Sequence, residues 1–147
     1  MAQLHYNRWR VRFRTVRPLQ SLPRPLVAAS DYVATTDYQF AGRKRRFDPE
    51  RGLFQYTLTG EGRFRDAGGT YRTPPGCGFL CRGADPETAY FYPADAREPW
   101  VHMYFSFVGA GDMIDEIVRR FGAVLRLPPE APVITHLLEH DRFHDST

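Results

Sequence analysis

Between Leu53 and Gly109 the chain is punctuated into short apolar runs. Leu53–Leu58, Arg63–Asp66, Thr70–Thr73, Gly78–Cys81, Tyr90–Tyr92 and Trp100–Val108 are rich in Phe, Tyr, Thr and Val. Each is closed by a Gly, Pro or Asp cluster, which predicts strands of about four to eight residues. The intervening Thr59-Gly60-Glu61-Gly62, Asp66-Ala67-Gly68-Gly69 and Pro74-Pro75-Gly76 are turn sequences, because Gly admits positive φ and Pro fixes φ. Strands this short and evenly spaced cannot wrap helices. They are expected to pair as a meander that closes into a small barrel or sandwich.

The segments on either side carry different periods. Arg8, Arg10, Arg12 and Arg14 alternate with Trp9, Val11 and Phe13, a period of two that predicts a strand with one cationic face. That face suits either an anion or a sheet edge whose charges discourage further pairing. Pro18, Pro23 and Pro25 then set off an arm of residues 1–24 from Leu26-Val27-Ala28. At the other end, Met113, Ile114, Ile117, Val118 and Phe121 form a helical stripe opened by Asp112 and stopped by Gly122. After a brief Val124–Leu127 run, Pro129 opens a second predicted helix with the stripe Val133, Ile134, Leu137 and Leu138.

Composition narrows the function classes. A chain of 147 residues with 42% hydrophobic and 14% aromatic residues suits one folded unit and is too apolar for a disordered one. No run approaches the ~18 apolar residues of a membrane helix, and no apolar stretch near Met1 resembles a signal peptide, so a cytoplasmic protein with no membrane partner is expected. Cys77 and Cys81 on one strand lie ~13 Å apart along it, too far to bridge, and read as buried thiols. A net charge of +3 with 17 interspersed acidic residues argues against direct nucleic-acid binding by the whole domain.

Candidate chemistry concentrates on two strands. Tyr38–Arg46 reads YQFAGRKRR; as a strand it would place Arg43 and Arg45 on one face and Lys44 and Arg46 on the other. One pair can then point inward, where a guanidinium fork suits the hydroxyls or carboxylate of a small ligand. Trp100, His102 and Tyr104 lie at i, i+2, i+4 and share a face, offering a flat apolar surface rimmed by donors. Tyr90 and Tyr92 repeat the theme nearby. His136, His140 and His144 have helical metal spacing, but no carboxylate or Cys is placed to complete a shell. Asp85, Glu87, Asp95 and Glu98 read as loop carboxylates. There is no nucleophile elbow, P-loop or H-E-x-x-H, and no helix-turn-helix pair follows Gly109. No catalytic residue, metal or cofactor is expected.

Gly68 to Gly76 spells G, five residues, P-x-G, and resembles the second conserved turn of cupin barrels. In metal-binding cupins a His follows after two intervening residues; Phe79 holds that place. The His-x-His pair with a following Glu would fall near Gln55–Glu61, which contains no His. With F-Q-Y-T-L-T-G-E-G-x-F before this turn and E-P-W-x-x-x-x-F-S-F after it, the region from about residue 25 to 125 resembles the effector-binding domain of AraC-type transcription regulators. The resemblance implies a mainly β, cupin-like double-stranded barrel (jelly roll) over 25–108, followed by a helical dimerisation segment over 109–147. It implies an arm that folds over the barrel mouth, a small-molecule effector such as a sugar or related metabolite, and no enzymatic activity. It also implies ligand contacts at Arg45, Tyr90, His102 and Tyr104, to which the shared face adds Trp100. A homodimer through Val133, Ile134, Leu137 and Leu138 is expected, because a closed barrel leaves the last helix no intramolecular partner. DNA would be reached only through a helix-turn-helix domain not present in this chain, making the chain a fragment of a regulator or a stand-alone sensor. The alternative is a cupin-fold enzyme, such as a sugar isomerase or oxygenase, distinguished by the metal set this sequence lacks.

Overall fold

The computed structural model describes residues 8–16, 22–45 and 49–144, with side chains of the last helix through Glu139. Pro18 and Arg46 lie outside the described residues, and His140 and His144 outside the described side chains. Among the described residues, ten strands and two α-helices follow in order. They are β1 (Arg10–Arg12), β2 (Arg24–Val33), β3 (Gln39–Ala41), β4 (Arg51–Thr59), β5 (Gly62–Asp66), β6 (Gly69–Thr73), β7 (Cys77–Arg82), β8 (Ala89–Phe91), β9 (Trp100–Val108), α1 (Gly111–Phe121), β10 (Val124–Arg126) and α2 (Pro132–His144). The six strands expected between Leu53 and Val108 are all present, within two residues at each end.

Their pairing differs from a meander. One antiparallel sheet has the order β1-β2-β9-β4-β7-β10 and the other β3-β8-β5-β6. From β2 to β9 the chain passes repeatedly from one sheet to the other, and only β5–β6 is a tight hairpin. The crossings after β4 and β6 are short, and their corners fall at the predicted Thr59–Gly62 and Pro74–Gly76 turns. Gly60, at φ 68°, turns the chain from β4 into β5 against the Pro99 carbonyl, where a side chain would collide. This crossed order, with two facing sheets, is the jelly-roll form of a cupin-like fold.

The six-stranded sheet is covered on both sides, and alternation along its strands explains how. On β9, Trp100, His102, Tyr104 and Ser106 face the four-stranded sheet, while Met103, Phe105 and Phe107 face away. On β4, Leu53, Gln55 and Thr57 face inward, and Phe54, Tyr56 and Leu58 outward. The inner cluster centres on Phe64, Phe79 and Trp100, each fully buried. The outer cluster joins Trp9, Phe54, Tyr56, Leu80, Met103 and Phe107 to Ile114 of α1 and Ile134 of α2. Burying two such faces is the main source of stability in a chain this short.

Tyr38–Arg46 is not one strand: β3 stops at Ala41 and a 3-10 turn spans Gly42–Lys44, because buried Gly42 packs its backbone against Asp85. The second helix starts at Pro132, whose fixed φ suits a first turn, rather than at Pro129. The last helix also has a partner within the chain: Ile134 is fully buried, and Leu137 and Leu138 pack partly on the outer cluster. The barrel's outer face supplies that partner, because its outward row is apolar as well. The segment after Gly109 is moreover not all helix, since β10 pairs with β7.

Candidate functional site

Between the sheets lies a cavity of about 240 Å³, near the lower end of small-ligand pockets. Its wall is drawn from β1, β2, β4, β9, β8 and the β3 turn. Arg10, Arg45 and Arg51 bring guanidinium groups, and Asp31 brings a carboxylate. Tyr38, Tyr104, Gln55 and Ser106 bring neutral polar groups, with Phe40, Leu53 and Tyr90 as the apolar part.

Each polar group is held in a definable way. Arg45 follows the 3-10 turn, and its guanidinium lies over the Phe40 ring at 4.4 Å and near the Tyr90 ring at 5.7 Å. Phe40 and Tyr90 are themselves stacked across β3 and β8, with centroids 5.2 Å apart. Arg51 donates to Ser106 Oγ at 3.1 Å, and Arg10 to the Tyr104 hydroxyl at 3.3 Å. Asp31 accepts from Arg8 at 3.2 Å, on the outer side of the cavity rim. Gln55 is 2% exposed, and its Nε2 has no hydrogen-bond partner.

Burial sets the protonation states. Tyr38 has a strongly raised pKa, chiefly from desolvation and then from the neighbouring Tyr90 phenol. The Gln55 amide opposes this slightly without reaching hydrogen-bonding geometry. Desolvation pushes Tyr90 up to about 12, although the Arg45 charge beside it works in the opposite direction. Both phenols are therefore neutral donors at physiological pH.

The five side chains singled out by sequence divide into two layers. Arg45, Tyr90 and Tyr104 line the cavity. Trp100 and His102 share the face of Tyr104 but are fully buried and do not line it. They form the layer beneath Tyr38, whose ring lies 5.8 Å from Trp100 and 5.5 Å from His102. The Tyr38 hydroxyl and His102 Nε2 share a hydrogen bond of 3.2 Å, while Nδ1 is buried without a partner. Burial lowers the His102 pKa to about 3, so the ring is neutral. Trp100 Nε1 donates to Thr57 Oγ1 at 2.9 Å, and Thr57 Oγ1 donates on to the Thr73 carbonyl at 2.8 Å. This relay ties β9 and β4 to β6 across the two sheets.

Tyr38, Phe40, Gln55, Arg51 and Ser106 were not singled out by sequence. The signal for three of them was available. Tyr38 and Phe40 have the same i, i+2 aromatic spacing that marked Trp100 and His102, and Ser106 simply extends that row. The place where a metal-binding cupin would carry a further His is apolar: Phe79 is fully buried, 4.6 Å from the stacked Phe64 ring. Among the described residues, no group of three or more His, Cys, Asp or Glu side chains converges in a way that could hold a metal ion.

Residues 32–143 match the AraC-like ligand binding domain. The chain belongs to that family. In this AraC-type domain the match begins near the end of β2 and runs into α2, so it takes in strands of both sheets, the cavity lining except Arg10 and Asp31, and most of the helical segment. No curated protein matches the chain by sequence. Among solved structures, the AraC-type domain is similar in fold to the protein YhaK from Escherichia coli, with a TM-score of 0.56 and 18% identity. The alignment covers 86% of this chain and 57% of YhaK, so the chain spans little more than half of that protein. Among the described residues, no helix is long and apolar enough to cross a membrane.

Proposed function

We propose that this domain is the sensing module of an AraC-type transcription regulator, holding a small oxygen-bearing metabolite, a sugar or a sugar relative, in a metal-free cavity. The observation that carries this reading is the convergence of three guanidinium groups, three phenols and an unsatisfied amide on one cavity of about 240 Å³. A purely structural core would satisfy or exclude such groups. Arg45 orients the ligand, Tyr90 and Tyr104 flank it, and Trp100 and His102 fix Tyr38 from below. In this reading DNA contact falls to a separate helix-turn-helix domain, and the sensing domain itself performs no chemistry.

A thermal-shift screen over a metabolite library tests the sensing role, since a binder raises stability by mass action. For any hit, Arg45→Ala should weaken binding tenfold or more, the loss of a charge-assisted hydrogen bond of about 1.5–3 kcal/mol. An unchanged dissociation constant by calorimetry would remove Arg45 from the site. Stoichiometric metal by elemental analysis, retained through dialysis, would instead support the cupin-enzyme reading.

The same reading includes a homodimer through the helical segment. Val133 is 47% exposed, and Leu137 and Leu138 are only partly covered by the chain's own outer cluster. A two-fold contact would cover the remainder. Sedimentation equilibrium at tens of micromolar should show a dimer that Val133→Glu weakens. A monomeric wild type argues against pairing through α2.

A further inference from the structure

The balance of donors and acceptors in the cavity says more about its occupant than its size does. We infer that the cavity recognises the ionised carboxylate of a small organic acid, rather than a neutral polyol. This rests on the sensing reading above and names its ligand class.

Neutral sugars need acceptors as well as donors, because every hydroxyl carries a proton to give away. The only cavity carboxylate among the described residues is Asp31, and it is already engaged by Arg8 at 3.2 Å. Donors dominate instead. Arg45 has no carboxylate partner among the described residues, and its guanidinium face is packed on Phe40 at 4.4 Å. A guanidinium held by its face directs its N–H groups outward in its own plane; Arg45 turns one toward the Tyr90 hydroxyl, and the others suit the oxygens of a carboxylate. Arg10, on the opposite side at the edge strand, adds a second positive charge to the same cavity.

Gln55 is the independent observation. Its side chain lines the cavity, is 2% exposed and leaves Nε2 with no hydrogen-bond partner. An orphaned buried N–H donor is costly in an empty site and is answered by an acceptor oxygen arriving with the ligand. A carboxylate supplies that oxygen and neutralises the guanidinium charge at once. The stacked Phe40 and Tyr90 rings then offer a flat surface to the rest of the acid, whether a sugar ring or a planar ring.

The test uses matched acid and neutral pairs of nearly equal size: galacturonate with galactose, gluconate with glucose, and nicotinate with nicotinamide. Thermal shift and calorimetry on the whole chain should show at least one acid binding tenfold or more tighter than its neutral partner. That preference should disappear in Arg45→Ala. Gln55→Leu gives a readout that a merely structural role would not: it should raise the melting temperature of the unliganded protein and weaken the acid. Neutral members binding as well as their acids, or an acid unaffected by Arg45→Ala, overturns the inference while leaving a sensor of neutral metabolites. No shift from either class counts against the inference and the sensing reading together.

Discussion

Gly62→Ala is expected to destabilise the protein by about 3 kcal/mol, lowering its melting temperature by about 10 °C. Gly62 is buried at the start of β5, and a Cβ there would be driven into the six-membered ring of Trp100. An exposed side chain would step aside at little cost. Trp100 cannot, because it is fully buried, its Nε1 is held by Thr57, and Tyr38 and His102 lie against its rings. The strain therefore passes either to the spacing of the two sheets or to the Trp100–Thr57–Thr73 relay. Differential scanning calorimetry decides the matter. A melting temperature within about 2 °C of wild type would mean that the indole has room to retreat.

Acidification supplies the second large effect. His102 is neutral in the folded protein, its pKa lowered by burial from the ordinary 6.5 to about 3. The unfolded chain takes up a proton at this residue once pH falls below about 6.5, and the folded chain does not. Stability is therefore complete above that value and declines steadily as pH falls toward 3. Each pH unit within the window is worth about 1.4 kcal/mol, so moving from pH 7 to pH 5 should cost about 2 kcal/mol from this residue alone. The interval avoids the carboxylates with lowered pKa, Glu61 and Asp115, whose contributions fall away only at lower pH. Urea unfolding at both pH values should show this drop in wild type and a much smaller one in His102→Gln. Equal drops in the two proteins would mean that His102 is solvated or charged in the fold.

The sequence made the strands legible because their ends are marked chemically. Gly and Pro corners fix where a strand can stop, and every run between Leu53 and Val108 appears within two residues of its expected bounds. Strand order was not legible, since alternation states which residues share a face without saying which strand lies alongside. The same limit governs the site. Trp100, His102 and Tyr104 do share a face, yet depth along that face separates the cavity wall at Tyr104 from the buried layer at Trp100 and His102, which the cavity does not reach. Depth is a property of packing between two sheets and leaves no trace in one strand's periodicity. Arg10 shows a related gap. The alternating arginines suited both an edge strand and an anion-binding face, and β1 is at the sheet edge while Arg10 lines the cavity. Arg45 reached the cavity by a route the pattern did not contain, a 3-10 turn forced by the close approach of Gly42 to Asp85.

The two-sided character of the six-stranded sheet limits how this domain can be recombined with others. Met103 packs toward Ile114 and Ile134, while its immediate neighbours belong to the other face, Tyr104 in the cavity wall and His102 in the layer beneath Tyr38. A chimera with its crossover at Gly109 would join one protein's outward row to another's helices, mismatching Phe54, Tyr56, Met103 and Phe107 with strangers. A donor sensor transplanted with the crossover after α2 keeps both rows with the partners that shaped them. Ligand preference and helix docking are thus inherited together, through alternate residues of the same strand.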